Sequence, residues 1–537
     1  MPLRPALLIA IVAATLLVAV TTYRLDRAGV YYDELHQATG AFAYVGRPTP
    51  MFSFVRIAGV PLLNMSYTGA IKTAVYGLYL RASGGSFSIV SWRLLGILFS
   101  ATGVIVFCLL VGNRVPPTAL VLFTALLLSD TNLLLQTKHD WGPAALGFLL
   151  RMIFLGAGIR YLTNRASAAG PFVLGLIVGV AIFEKLSATV LLGPLAIVLL
   201  ADPRSRSIAV FAPAAFGVAL GASPAIAVNL YSLISRSQLL ALTAVDTTPR
   251  RSIVGYVANY LALGNGGIER RMIFETSTPA VTEAIEGLAV AALLLFAIAP
   301  LLLASRRDRD GRLPLAAVAA LCYAAVGVAL PFLPHGTGEH HWIIGTPFQY
   351  LAIALAATSF RSAVSPSRAS RLLFAACLIV LFAARVPALA DSMTALRNDR
   401  YTRTWDPSLN AAAEFAANQP DSAIFIAANW GVGAQAFCFS NGRQNFVFEL
   451  YDNYGGPRET LNPLLAPPER QIVVAAALRR PPARPDEINT LRQVTDAIFR
   501  DLAVAPGWEE VPLDPGIAGL RAVEIRVFRR VPPNRGL

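Results

Sequence analysis

Tyr31-Tyr32-Asp33-Glu34-Leu35-His36 stands just past the first apolar run of the chain, residues 5–23. An adjacent carboxylate pair beside two tyrosines suits the outer mouth of a membrane helix, because aromatic rings favour the bilayer interface. A span that only crosses lipid has no use for such a pair. A reaction at the membrane surface does, with one carboxylate taking a proton and the other holding a cation or a sugar. The run before it lacks a strongly charged start and a convincing small-residue cleavage site, so it reads as a retained helix and not a signal peptide.

The composition agrees with a membrane setting. Of 537 residues, 55% are hydrophobic and 14% charged, the balance of a polytopic membrane protein. The net charge of +13 lies largely in short connections between apolar runs. There it sets topology, and it forms no basic stripe for tracking a nucleic acid. Cys108, Cys322 and Cys377 fall within apolar runs and Cys438 has no evident partner. Neither a disulfide framework nor a thiolate metal site is indicated.

A window of roughly 20 apolar residues per span predicts about eleven helices. They fall at 5–23, 90–111, 117–135, 141–162, 170–184, 186–201, 207–228, 284–304, 314–333, 342–358 and 371–390. Arg114, Arg160, Arg165, Arg204, Arg206, the Arg306-Arg307-Asp308-Arg309 cluster, Arg361, Arg368 and Arg371 then share one side. The positive-inside rule makes that side cytoplasmic, with the N-terminus inside and the C-terminal region outside. The expected fold is a polytopic α-helical membrane domain over 1–390 followed by an extracytoplasmic α/β domain over 391–537.

Two large outer loops are expected, at about 24–89 and 229–283. The first has an amphipathic part, Glu34 to Val45, and an apolar part, Tyr67 to Leu80, that reads as interfacial. The second has Gly264-Asn265-Gly266-Gly267 as a hinge, with Glu269-Arg270-Arg271 beside it. In the terminal domain, strands are expected at 422–428, 444–450, 471–477, 508–513 and 521–531, with helices at 406–418 and 486–502. No glycine fingerprint opens a helix there, so no nucleotide is assigned.

Candidate chemistry gathers on the outer side. Asp33 and Glu34 lead. His139-Asp140-Trp141 stands where the fourth helix begins; taken alone Asp140 reads first as a helix cap, and on the same side as Asp33 it could converge with that acid over one cavity. Among 45 basic residues only Lys72, Lys138 and Lys185 are lysines, compact charges suited to a phosphate. Glu184 beside Lys185 offers the plainer reading of simple neutralisation, and Lys72 reads as a snorkelling interfacial side chain. His335, Glu339, His340 and His341 share one outer turn at no standard zinc spacing. They suit donation to a phosphate, or one ligand to a divalent cation shared with the acids. Arg151, within a span, reads as structural.

The order of these parts resembles the GT-C superfamily of membrane glycosyltransferases, over about residues 1–390. Its sharpest motifs here are Tyr32-Asp33-Glu34 and the His139-Asp140 loop. The bacterial protein O-mannosyltransferase and lipid A aminoarabinose transferase types are most similar. The resemblance implies an enzyme of the bacterial inner membrane, with its C-terminal domain periplasmic. It would move a hexose or pentose from a polyprenyl-phosphate donor to a lipid, glycan or protein acceptor, with inversion. It implies Asp33 at the reaction centre as base, with Glu34 beside it, and Asp140 holding substrate or a cation. The segment from Gly338 to Pro347 would approach the lipid phosphate, with His340 and His341 where relatives present arginine or tyrosine. Lys138, His139, Lys185, Arg270 and Arg271 complete the phosphate-binding candidates. A divalent metal ion on Asp33, Asp140 and His341 is the one cofactor considered. The competing reading is a lipid or glycan transporter or flippase with a soluble sensor domain. Such proteins place ionisable groups near the midplane and repeat their halves, a pattern not visible here.

Overall fold

A computed structural model describes residues 4–48, 55–140, 142–163, 169–202, 208–240, 253–302, 313–333, 339–359, 367–479 and 485–532. The chain divides into two compact units. A helical unit comprises Met1–Tyr23, Met65–Gly69 and Arg93–Asn398; an α/β unit comprises Arg24–Asn64, Ala70–Trp92 and Asp399–Leu537.

In chain order the elements begin with α1 (Arg4–Thr22), α2 (Tyr32–Ala41), β1 (Val55–Ile57), β2 (Val60–Met65), β3 (Thr68–Gly69) and α3 (Ile71–Ala82). There follow α4 (Ile89–Val111), α5 (Pro117–Leu128), α6 (Thr131–His139), α7 (Ala144–Thr163), α8 (Gly170–Glu184) and α9 (Leu192–Leu200). Next come α10 (Ile208–Gly221), α11 (Ser223–Arg236), α12 (Ile253–Leu261), α13 (Gly267–Phe274), α14 (Ala280–Leu302), α15 (Leu315–Ala329), α16 (Thr346–Ser359) and α17 (Arg368–Arg397). The remainder is α18 (Ser408–Ala417), β4 (Ala423–Ala427), α19 (Gly433–Phe439), β5 (Val447–Glu449), α20 (Asn462–Leu465) and β6 (Ile472–Leu478). It closes with α21 (Pro485–Ala503), β7 (Trp508–Val511), α22 (Pro515–Ala518) and β8 (Val523–Arg530).

The described residues do not bear out the count of eleven expected spans. Among the described residues, six helices are long and apolar enough to cross a membrane, or up to eight if each bent pair is one span. The six are α1, α4, α7, α14, α17 and α15 with the turn after it. The pair α5–α6 bends by 66° and the pair α10–α11 by 71°. The first break is built by Asp130, whose side chain accepts from the Leu133 amide at 2.7 Å and so starts a new helix. The second has Pro224 in the first turn of α11, which tolerates proline only at a helix start. At 15 residues, α8 is roughly 22 Å long against a hydrocarbon core of about 30 Å, and α9 is shorter still. Hydropathy alone counts such helices as spans.

Close packing explains why short α8 is held. Gly175 and Gly179 of α8 meet Gly217 and Gly221 of α10, and a Cβ on any of them would lie 2.0–2.5 Å from its nearest neighbouring atom. Small residues four apart let two backbones touch, a main source of helix association in lipid. The loop expected at 229–283 is also corrected: α11 continues to Arg236 and α12 and α13 follow. Gly266, at φ 69°, forms a left-handed turn into α13, so the glycine cluster joins helices and is no lid hinge. Tyr67 to Leu80 is largely helix α3.

In the α/β unit the five expected strands form one sheet in the order β5-β4-β6-β8-β7. β5, β4 and β6 are parallel, while β8 runs antiparallel to both β6 and β7. Alternation puts Phe425, Ala427, Val474 and Ala476 on one face with Leu409 and Ala412 of α18. Ile424, Ile426, Val473 and Ala475 lie on the other with Ile498 and Phe499 of α21. Both faces are covered, as near-continuous apolar strands require.

Candidate active site

Asp33 is positioned by the α/β unit. It is the second residue of α2, whose N-terminal end favours a carboxylate through the helix dipole. The chain leading to it is bonded along its length. Arg24 pairs with Asp399 at 2.6 Å, the Gly29 amide donates to Trp405 O at 2.8 Å, and the Val30 amide donates to Asn410 Oδ1 at 2.9 Å. Gln435 Nε2 returns a bond to Val30 O at 2.9 Å. Gly29 is obligatory here, since a Cβ would stand 2.0 Å from Asp406 O. Tyr32 then donates its hydroxyl to Glu449 Oε1 at 2.6 Å. Burial holds the Glu449 carboxyl above its usual range, and burial with the adjacent Glu449 drives the Tyr32 phenol far above its own. Tyr32 is therefore a fixed donor, and it locks the first turn of α2.

Within that turn the acid pair separates. Glu34 is buried, and its carbonyl accepts from Trp92 Nε1 at 3.0 Å, whereas Asp33 is half-buried. Lys72 corrects the snorkelling reading: it is fully buried, with its ammonium 3.6 Å from the Trp92 ring centroid, a cation–π contact.

The helical unit holds the second acid. Asp140 closes α6 in the left-handed conformation at φ 43°, and its Oδ1 accepts from the Ala145 amide at 2.8 Å in the first turn of α7. It is thus the cap at a sharp turn, and its carboxylate packs on Gly96 of α4, where a Cβ would come within 2.8 Å of Oδ2. His139 beside it is buried. Lys138 donates to Tyr23 O at 2.6 Å and Thr21 O at 3.3 Å. Its charge thereby serves the C-terminal carbonyls of α1.

Lys185 lies at a break between α8 and a 3₁₀ turn, Leu186–Leu191, with extended backbone (φ −150°, ψ 120°). Its Nζ donates to Gly142 O at 2.8 Å, and the break is tied down by the Leu186 amide bonding Tyr67 O at 3.0 Å. A cavity adjoins this break. Gly142, Gly147 and Arg151 from the start of α7, Glu184 and Lys185, and His341 are among its lining residues. The side chain of His340 and residues His335 to Gly338 lie outside the described residues.

Arg270 is engaged by Thr278 Oγ1 at 2.7 Å and by Asp391. Arg271 is more exposed and faces Glu283 at 3.8 Å. Between them and α6, Glu269 is fully buried and accepts from Gln136 Nε2 at 2.9 Å. Burial raises its carboxyl from 4.5 to about 7, with Asp130 adding to the rise and Arg271 opposing it. A carboxyl raised on folding contributes stability below its unfolded value that is lost as pH climbs through the folded value. Wild type is therefore expected to lose unfolding temperature relative to Glu269→Gln between pH 4.5 and about 7, and to hold a constant gap above that. Parallel melting curves across this range would remove Glu269 as the source.

Among the described residues no three His, Cys, Asp or Glu side chains gather closely enough to hold a metal ion. Asp33 belongs to one unit and Asp140 and His341 to the other.

No family model and no curated protein matches the chain in sequence. Solved structures do match in fold. The crystal structure of apo ArnT from Cupriavidus metallidurans is similar at TM-score 0.58 and 12% identity, covering 96% of this chain and 97% of that one. The Archaeoglobus fulgidus oligosaccharyltransferase, solved in complex with Zn and sulfate, is similar at TM-score 0.51 and 12% identity, covering 87% and 67%. The chain shares the fold of these two solved structures.

Proposed function

We propose that the chain is a membrane glycosyltransferase that moves a sugar from a polyprenyl-phosphate donor to an acceptor hydroxyl outside the cytoplasm. The observation that carries this reading is a fold match to ArnT over nearly the whole of both chains. Asp33, half-buried on a turn fixed from both sides, supports it as a candidate base. The acceptor oxygen gives its proton to Asp33 as it bonds to the anomeric carbon. The bond from that carbon to the phosphate oxygen breaks on the opposite face, and its electron pair leaves with the lipid phosphate. Direct displacement of this kind inverts the anomeric centre. Asp140 is assigned to positioning and Lys185 and His341 to the leaving phosphate, whose growing charge requires fixed donors. The prenyl tail stays in lipid because each exposed CH₂ costs about 0.8 kcal/mol.

The test is transfer itself. Purified protein in lipid nanodiscs is given a polyprenyl-phosphate sugar and a membrane extract as acceptor source, and the liberated polyprenyl phosphate is measured. Consumption of donor with product glycolipid or glycan formed is expected. Donor left intact, with no new glycan in the extract, would remove the transferase reading. Chelator followed by divalent-ion add-back, in the same assay, reads whether a metal shares the phosphate's charge.

A further inference from the structure

We propose that the cavity at the start of α7 is a phosphoryl-anion site and that Arg151 is its principal ligand. The proposal deepens the donor reading above and rests on it for the identity of the ligand. Arg151 lies two turns into α7, 5% exposed, and its Nε and Nη2 are buried without a hydrogen-bond partner. Buried guanidinium donors are costly to leave unsatisfied and in native folds are paired.

The same helical unit shows what a structural arginine looks like. Arg385, 1% exposed, donates Nε to Glu286 at 2.6 Å, Nη2 to the Tyr350 hydroxyl at 2.7 Å and Nη1 to Ser129 Oγ at 3.1 Å. Arg151 has no such set; it lines a cavity instead.

The cavity's shape and charge suit a small anion. Its volume is about 30 Å³, room for roughly two waters. Arg151 and Lys185 bring two positive charges against the single carboxylate of Glu184, with His341 as a further donor. Glycines make the space. A Cβ at Gly147 would stand 3.3 Å from Arg151 Nη1, and one at Gly142 would stand 3.1 Å from Lys185 Nζ. A planar guanidinium with free edges matches a phosphate's oxygens better than an ammonium does.

The experiment is binding by purified full-length protein in detergent, read calorimetrically with farnesyl phosphate, farnesol and inorganic phosphate. Wild type is expected to bind farnesyl phosphate more tightly than farnesol. Arg151→Met should weaken the phosphate at least tenfold and leave farnesol unchanged, with Arg151→Lys between. Unfolding temperatures of both variants check the fold, and Arg151→Lys keeps the test alive if the methionine variant fails to fold. Inorganic phosphate that binds as tightly as farnesyl phosphate, and competes with it, still supports the anion site but identifies a free anion as its occupant. Equal farnesyl phosphate affinity in wild type and both variants overturns the proposal, as does equal affinity of wild type for farnesol. Normal sugar transfer by Arg151→Met overturns it too and leaves the transferase reading standing. Arg151-dependent binding in a protein that transfers no sugar would do the reverse.

Discussion

Asp33→Asn is expected to lower sugar transfer by a factor on the order of 10²–10⁴, the range a positioned general base contributes. The substitution keeps shape while removing the carboxylate's charge and its ability to accept a proton. Bonds that hold the turn run through Gly29, Val30, Tyr32 and Glu449. The loss of a carboxylate at the helix start costs roughly 0.3–1 kcal/mol, too little to unfold the unit. Turnover under saturating donor and the unfolding temperature, measured on one preparation, separate chemistry from folding. Full turnover in a folded Asp33→Asn protein would strip Asp33 of the base role. A variant that loses donor binding and rate together would move it to substrate holding.

The prominence of Asp33 was legible from its place after the first apolar run; what fixes it was not. Arg24 with Asp399 and Tyr32 with Glu449 are ordinary polar pairs separated by 375 and 417 residues, and nothing local marks either partner. The sheet was easier to read. Its strands are short, apolar and bounded by turn residues, and Asp406 caps the helix before them as expected, accepting from the Ser408 amide at 2.9 Å. Hydropathy reads short helices such as α8 and α9 as spans and averages across breaks: the Asp130 cap and the Pro224 start sit inside windows that remain apolar overall. The glycine spacing at 175, 179, 217 and 221 was a usable signal for two touching helices. Read only as apolar runs, those segments looked like separate spans. Arg151 was read as structural because a lone arginine in a span usually finds a carboxylate; only coordinates show that its donors do not.

Arg385→Met is expected to destabilise the helical unit by about 3–5 kcal/mol, the cost of removing one partner from a buried ion pair. One guanidinium here ties α17 to three other helices. It binds Glu286 of α14 and the Tyr350 hydroxyl of α16, and its Nη1 reaches Ser129 and Leu126 O at the end of α5. Tyr350 passes the link on to Asp130 Oδ2 at 2.6 Å, the residue that builds the α5–α6 break. Glu286 and Asp130 are both 0% exposed, so without Arg385 two carboxylates share an apolar interior with no cation of the network between them. Unfolding in a detergent titration reads the loss. The double variant Arg385→Met with Glu286→Leu should recover much of it, because deleting both members of a buried pair often costs little. If Arg385→Met alone unfolds within about 1 kcal/mol of wild type, the network carries no more weight than a surface pair. The bend at Asp130 must then be held by its cap to Leu133 and by helix packing alone.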